Sequence, residues 1–338
     1  GLHRQTHHPL NIIKSMVEQH FVQSFEDGKG EPLFKTFDDL PPYVATTQCF
    51  DDLLVPKDHV SRSKSDTYYK DENTVLRTHT SAHQTELLRA GHMAFLATGD
   101  CYRRDEIDSS HYPVFHQMEG VRILPENATK EEAMEELKGT LEGVVRTLFG
   151  DTKTRWADDY FPFTDPSLEL EVWFNDDWLE LLGCGVIHDS ILQNTGLEGR
   201  TGWAFGIGLE RLAMALFQIP DIRLFWSQDP RFLQQFETGG VVVFEEFSKY
   251  PLCYKDVSFW EPDAFHENDF CALVRDTAGD LVEKVTCIDE FFNKKKNLTS
   301  RCYRIEYRSM ERSLTNKEVD EIQDTLRGTL EQSGYQLR

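Results

Sequence analysis

The chain has 338 residues, 39% of them apolar and 28% charged, a globular composition with length for about two domains and for a core that needs no disulfide or metal staple. Against 58 Asp and Glu stand 36 Lys and Arg, a formal charge of −22, which excludes a generic basic coat for nucleic acid and leaves any such contact to a local patch. None of the seven cysteines forms a CxxC pair, which argues for free thiols over a zinc knuckle, and no apolar run nears the roughly 18 residues of a membrane span.

In chain order, Leu10, Ile13, Val17, Phe21 and Phe25 recur at helical spacing, so 10–25 predicts an amphipathic helix ended by Gly28 and Gly30. Tyr102-Arg103-Arg104-Asp105 follows a strand opened by Gly99. Two adjacent strand arginines point to opposite sides, so either one meets an anion or both sit in surface pairs with Asp105 or Glu106. Segment 114–121 has a two-residue period that puts Phe115, Gln117 and Glu119 on one face. An amide beside a carboxylate suits a ligand ammonium group; a plain polar edge-strand face is the alternative.

Thr129 and Glu132 form a capping box ahead of a helix striped by Met134, Leu137, Leu141, Val144 and Leu148. Segment 168–174 alternates Leu168, Leu170, Val172 and Phe174 against Glu169, Glu171 and Trp173. The run Gly206-Ile207-Gly208-Leu209-Glu210-Arg211 lacks the third glycine of a dinucleotide fingerprint, because Arg211 stands there. Its glycines let a strand turn into a helix over Leu209–Gln218, whose first turn offers Arg211 to an anion; glycine packing with a surface arginine is the other reading. Strands joined by loops and a few helices predict an α+β fold, an antiparallel sheet with helices packed on it.

Gly239-Gly240 suggests a boundary near 240. Beyond it Val241–Phe244 reads as a strand, Asp269–Arg275 as the start of a helix, Leu281–Ile288 as extended and Cys302–Met310 as alternating. Thr315 and Glu318 cap a helix striped by Val319, Ile322, Leu326 and Leu330. Two helices on a small sheet predict a ferredoxin-like α+β domain. This tail holds 14 basic and 17 acidic residues over 247–338, so most of the negative charge lies ahead of it. Within 294–312 seven basic side chains face two acidic ones, which is either a solvated strand and loop or a phosphate-binding surface.

Gly206–Arg211 resembles motif 3 of the class II aminoacyl-tRNA synthetases, and Tyr102–Asp105 with its loop resembles motif 2. His79-Thr80-Ser81-Ala82-His83-Gln84, Phe161-Pro162-Phe163 and Trp178–Gly183 are similar to the phenylalanyl-tRNA synthetase catalytic subunit. The tail resembles the anticodon-binding domain of the single-chain organellar form. The resemblance covers nearly the whole chain, with four motifs in order. It implies an N-terminal helix and linker over 1–45, a class II catalytic domain over 46–240 and a ferredoxin-fold anticodon-binding domain over 241–338.

The implied activity is ATP-dependent attachment of phenylalanine to tRNA(Phe) through a phenylalanyl-adenylate, with ATP and Mg²⁺, by a monomer of the mitochondrial matrix or plastid with no membrane partner. Residue by residue, Arg103 would grip the α-phosphate and the substrate carboxylate, and Arg211 the γ-phosphate, with His111 beside the triphosphate and Glu180 on magnesium. Asp105, Phe115 and Gly208 would complete the nucleotide site. Gln117 and Glu119 would hold the amino group, with His79, Ser81 and Gln84 close by. Phe161 and Phe163 would sandwich the ring over Ala204. Lys294, Lys295, Lys296, Arg301, Arg304 and Arg308 would meet tRNA. Two departures stand out: Val60 in motif 1, where the family commonly has Pro, and Asp105 in place of a motif 2 glutamate. A catalytically inactive RNA-binding relative would have no need of Arg103, Glu119 and Arg211.

Overall fold

The computed structural model describes residues 1–26, 28–246, 250–295 and 297–338. The chain forms two compact units, one of residues 1–103, 114–219 and 236–243, the other of residues 104–113, 220–235 and 244–338.

The first unit opens with α1 (Pro9–Ser24), where the His8 ring accepts the Leu10 N–H at 3.2 Å and Pro9 begins the first turn. Leu10, Ile13, Val17 and Phe21 are fully buried, as their spacing predicts. The helix stops before the glycines, at an extended Phe25. Strands β1 (Lys35–Phe37), β2 (Tyr43–Ala45) and β3 (Thr74–Leu76) follow, with the short helices α2 (Thr46–Cys49) and α3 (Gln84–Arg89). Then come β4 (Ala94–Tyr102), β5 (Val114–Ile123), α4 (Lys130–Phe149), β6 (Thr154–Asp159), β7 (Thr164–Phe174), β8 (Asp177–Ile187), α5 (Asp189–Asn194), β9 (Gly202–Gly208) and α6 (Leu209–Phe217). Seven of these strands make one sheet in the order β1-β4-β5-β9-β8-β7-β6. Only β1 runs parallel to its neighbour, so the antiparallel expectation holds.

Both arms of the Thr129–Glu132 capping box form, at 3.2 and 2.8 Å. The buried face of α4 is Ala133, Leu137, Leu141, Val144 and Leu148. Ala133, four residues before Leu137, joins this face, and the expected Met134, three before Leu137, is partly buried at its edge.

The second unit carries α7 (Pro230–Gln234), then β10 (Cys253–Trp260), α8 (Glu267–Ala278), β11 (Val282–Asn293), β12 (Leu298–Tyr307), α9 (Asn316–Gln332) and β13 (Gln336–Leu337). The sheet order is β11-β12-β10-β13, the βαββαβ arrangement of a ferredoxin-like fold. Tyr303, Ile305 and Tyr307 are fully buried and alternate with the partly exposed Arg304 and Glu306. Ile107, from the segment 104–113, joins the same core. The strand expected at Val241–Phe244 does not form. Four apolar residues after Gly-Gly find no neighbouring strand among the described residues. Phe244 instead buries against Phe232 at 5.8 Å, and the Glu245 N–H donates to the Gln235 side chain at 2.8 Å. The first strand of the tail is β10, which the hydropathy pattern does not mark.

Candidate active site

Strands β4, β5 and β9 build one surface. Their register sets Gln117 opposite Gly99 and Gly208, and Glu119 opposite Ala97 and Gly206, so small residues flank both polar side chains. Gly99 has a packing reason: a Cβ there would stand 2.0 Å from Arg77 Nη2. Arg77 is buried and donates to the carbonyls of Asp100 at 2.7 Å and Leu40 at 3.1 Å and to the Asp100 carboxylate at 3.2 Å. Such full pairing is what a buried guanidinium requires. On the neighbouring position of β5, Gly120 leaves room for the Phe205 ring, which a Cβ would meet at 2.1 Å.

Arg103 is the residue just past β4. Its Nε donates to the Thr78 carbonyl at 3.0 Å, and its guanidinium lies 4.9 Å from the Phe115 ring centre. The exposed cation is thereby held at one end of β5 over an aromatic plate, an arrangement suited to a phosphate beside a stacked base. Two residues on, Gln117 accepts from the Cys101 thiol at 3.5 Å. Burial pushes that thiol up to about 12, so it stays protonated and donates.

Glu119 is 1% exposed, and burial raises its carboxyl to about 8 despite the hydrogen bond from Ser81. Its Oε2 has no partner among the described residues, and the same holds for both amide atoms of Gln84 and for His79 Nδ1. Burial holds the His79 ring down to about 3, hence neutral. Buried polar atoms left open need an explanation, and a small ligand with an ammonium group supplies one.

The aromatic residues come from the turn between β6 and β7. Phe161 and Phe163 stack with centroids 5.9 Å apart and planes at 19°. Phe161 lies over Gly183, where a Cβ would meet its Cζ at 2.5 Å. Phe163 packs against the apolar cluster that contains Ala204, which is 4% exposed. The ring of His79 lies 6.4 Å from Phe163.

Beside Gln117, at the Phe115 end of β5, the glycine-rich strand β9 turns into α6 at Gly208. Arg211, in the first turn, pairs with Glu180 of β8 at 2.9 Å, and both side chains are half-exposed. Nearby on β7, burial, a hydrogen bond to Asp159 and the charges of Asp159 and Glu180 raise the Glu169 carboxyl to about 7. This surplus of negative charge around Glu180 fits a cation. Among the described residues no three side chains form a metal cage, so such an ion would rely on ligand phosphates for its other oxygens.

The remaining expected residues lie in the second unit. Asp105 caps the Glu106 N–H at 2.9 Å, and His111 Nδ1 lies 2.7 Å from Asp108 Oδ2. The positive patch expected over 294–312 is smaller in the structure. Strand register sets Arg304 opposite Asp256 and Arg301 opposite Glu290. Arg304 pairs with Asp256 at 2.9 Å, Arg301 with Glu290 at 2.7 Å and with Glu261, and Arg308 with Glu283 at 3.1 Å. Lys294 and Lys295 stand exposed in the turn after β11, and Lys296 lies outside the described residues. Arg77 and Cys101, which brace the first site, carry no sequence signal that separates them from ordinary core residues.

This sheet, with an arginine past its β4 strand and another in the turn from glycine strand to helix, defines the catalytic core of a class II aminoacyl-tRNA synthetase. The family model for the tRNA synthetases class II core domain (F) matches residues 3–236, and that for the ferredoxin-fold anticodon binding domain matches 248–338. The chain is 58% identical over 334 residues to the chloroplastic/mitochondrial phenylalanine–tRNA ligase of Arabidopsis thaliana, covering 96% of this chain and 77% of that protein. It is 48% identical over 388 residues to the mitochondrial phenylalanine–tRNA ligase of Dictyostelium discoideum, covering 98% and 85%. The mouse mitochondrial phenylalanine–tRNA ligase is 49% identical over 357 residues, covering 95% and 79%. The crystal structure of pyrrolysyl-tRNA synthetase from Desulfitobacterium hafniense is similar in fold, with a TM-score of 0.50 at 16% identity over 66% of this chain and 74% of that one. The chain belongs to the phenylalanine–tRNA ligase family, in its organellar branch.

Proposed function

We propose that this chain attaches phenylalanine to tRNA(Phe) in two steps, with the site on β4, β5 and β9 forming the adenylate and the ferredoxin-fold domain meeting the tRNA. The observation that carries the reading is the buried Glu119 carboxylate with an open oxygen, on the same strand face as Phe115 and its arginine. From Phe115 to Glu119 the strand rises roughly 14 Å, with a base-stacking, anion-binding end and an ammonium-binding end. A ligand with adenine and phosphate at one end and an amino acid at the other matches that polarity.

In the first step a carboxylate oxygen of phenylalanine attacks the α-phosphorus, and the bond to pyrophosphate breaks. This needs no protein nucleophile. Arg103 would hold the α-phosphate and the carboxylate together, Arg211 the γ-phosphate, and His111 with Asp105 and Gly208 the remaining contacts of the nucleotide. Gln117, Glu119, Ser81, His79 and Gln84 would take the ammonium group, and Phe161 and Phe163 the ring above Ala204. Magnesium held through Glu180 would neutralise phosphate charge. In the second step a terminal ribose hydroxyl of tRNA displaces AMP, with Lys294 and Lys295 contacting the tRNA backbone.

Domain limits at 46–240 and 241–338, after a linker at 1–45, follow from the same reading, as does a monomer, because the tRNA-binding domain is in the same chain. The mitochondrion, or the plastid, is its place of action. Phenylalanine-dependent exchange of pyrophosphate into ATP tests the reading, and folded protein without that exchange overturns it.

A further inference from the structure

His116 and Glu210 make a contact that the reaction as described does not use. His116 is fully buried near the start of β5, and Glu210, the second residue of α6, is 4% exposed. One Glu210 oxygen lies 2.7 Å from His116 Nδ1, and the other accepts the His116 backbone N–H, also at 2.7 Å. The pairing of β5 with β9 ends at Gln117 and Gly208. One residue further, β9 has already turned into the helix, and the Glu210 carboxylate takes the hydrogen bond that another strand residue would have taken.

Both ends of this link lie beside working residues. His116 sits between Phe115 and Gln117, and Glu210 immediately precedes Arg211. On the other side the His3 ring packs 5.2 Å from that of His116, and His3 Nε2 lies 2.9 Å from the Asp38 carbonyl. The carboxylate is thus shut from water and its two bonds are strong. Moving the first turn of α6 would break both bonds at once.

We infer that Glu210 is a positioning residue which, through His116, sets Arg211 against the strand that holds the base and the amino acid. This rests on the assignment of Arg211 to the nucleotide. Two anions must be held in line for adenylation, and an ångström of misplacement can cost about a hundredfold in rate. The amino-acid pocket, built on Glu119 and the Phe161–Phe163 turn, does not depend on that helix turn.

The test uses Glu210→Gln, Arg211→Lys and their double variant in the full chain. Pyrophosphate exchange is read against ATP, and phenylalanine binding by calorimetry without ATP. Glu210→Gln is expected to lower kcat/KM for ATP about 10- to 100-fold, with phenylalanine affinity within about twofold of the parent. Added to Arg211→Lys it should cost less than about a further twofold, because both changes act on one contact. Equal loss of ATP and phenylalanine binding, wild-type kinetics, or full multiplication of the two effects overturns the proposal. If Arg211→Lys itself keeps wild-type ATP kinetics, the assignment of Arg211 falls and the proposal with it. A slow Arg211→Lys variant on which Glu210→Gln acts in full overturns the proposal alone. Should Glu210→Gln not fold, His116→Asn keeps the backbone donor and loses the ring contact. It is expected to show the same split at about three- to tenfold, and an even loss of both ligands overturns the proposal.

Discussion

Arg211 Nη1 stands 2.9 Å from the Glu180 carboxylate and 3.4 Å from the Glu180 carbonyl, so the first turn of α6 is tied to β8 by one guanidinium. Both side chains are half-exposed, and such pairs contribute only about 0.2–1 kcal/mol to stability. Arg211→Ala is therefore expected to abolish pyrophosphate exchange while the thermal midpoint moves by no more than a few degrees. Retained exchange would remove Arg211 from the nucleotide site.

Glu119 makes stability and ligand binding depend on pH in opposite directions. Its carboxyl is raised from the ordinary 4.5 to about 8 in the folded chain. Between those values the folded state holds a proton that the unfolded chain has lost. The contribution to stability is complete below about 4.5 and falls until about 8. An ammonium ligand needs the ionised form, so phenylalanine affinity should rise with pH up to about 8 and then level. Calorimetry in buffers of different ionisation enthalpy should show a proton released on binding at pH 7, and Glu119→Gln should abolish both trends.

Gly183→Ala tests the aromatic pocket from beneath. The new Cβ would stand 2.5 Å from Phe161 Cζ, at the free end of the ring, so the ring should move and the fold should survive. The KM for phenylalanine is expected to rise at least about tenfold, because the stacked pair sets the slot, with the KM for ATP unchanged. Equal kinetics in the variant would show that Phe161 does not touch the substrate.

The slot around Ala204 is apolar, and an apolar pocket rejects an added hydroxyl by only about a hundredfold. Tyrosine-dependent exchange should be measurable at roughly that fraction of the phenylalanine rate. A tyrosine rate below detection would mean that a polar group polices the para position.

Lys294 and Lys295 are exposed, whereas Arg301, Arg304 and Arg308 already hold carboxylates. Replacing both lysines with alanine should weaken tRNA charging and lower the salt dependence of tRNA binding by about 0.7–0.9 in log–log slope per lost phosphate contact. Amino-acid activation should stay at the parent rate. An equal fall in both activities would make the turn structural.

Much of the fold is local chemistry and could be read directly. Both capping boxes form where Thr129 and Thr315 announce them, because the two hydrogen bonds of each box involve residues three apart. The alternation of Tyr303, Ile305 and Tyr307 names a buried strand face without reference to its neighbours. The short apolar run Val241–Phe244 misleads for the opposite reason: a strand exists only with a partner, and among the described residues none pairs with it.

The sequence by itself determined the family, the order of the motifs and the identity of the chemical groups, since Arg103, Glu119, Phe161, Phe163 and Arg211 stand in motifs that resemble those of the class II synthetases. Tertiary structure decided which of those groups are still open to a ligand. Among the described residues Glu119 and Gln84 keep unpaired atoms in a buried place, while Arg301, Arg304 and Arg308 are met by Glu290, Asp256 and Glu283. The reason is physical. A side chain's chemistry is covalent and local, but its solvation and its partners are set by residues distant in sequence, as the separation of 94 positions from His116 to Glu210 shows.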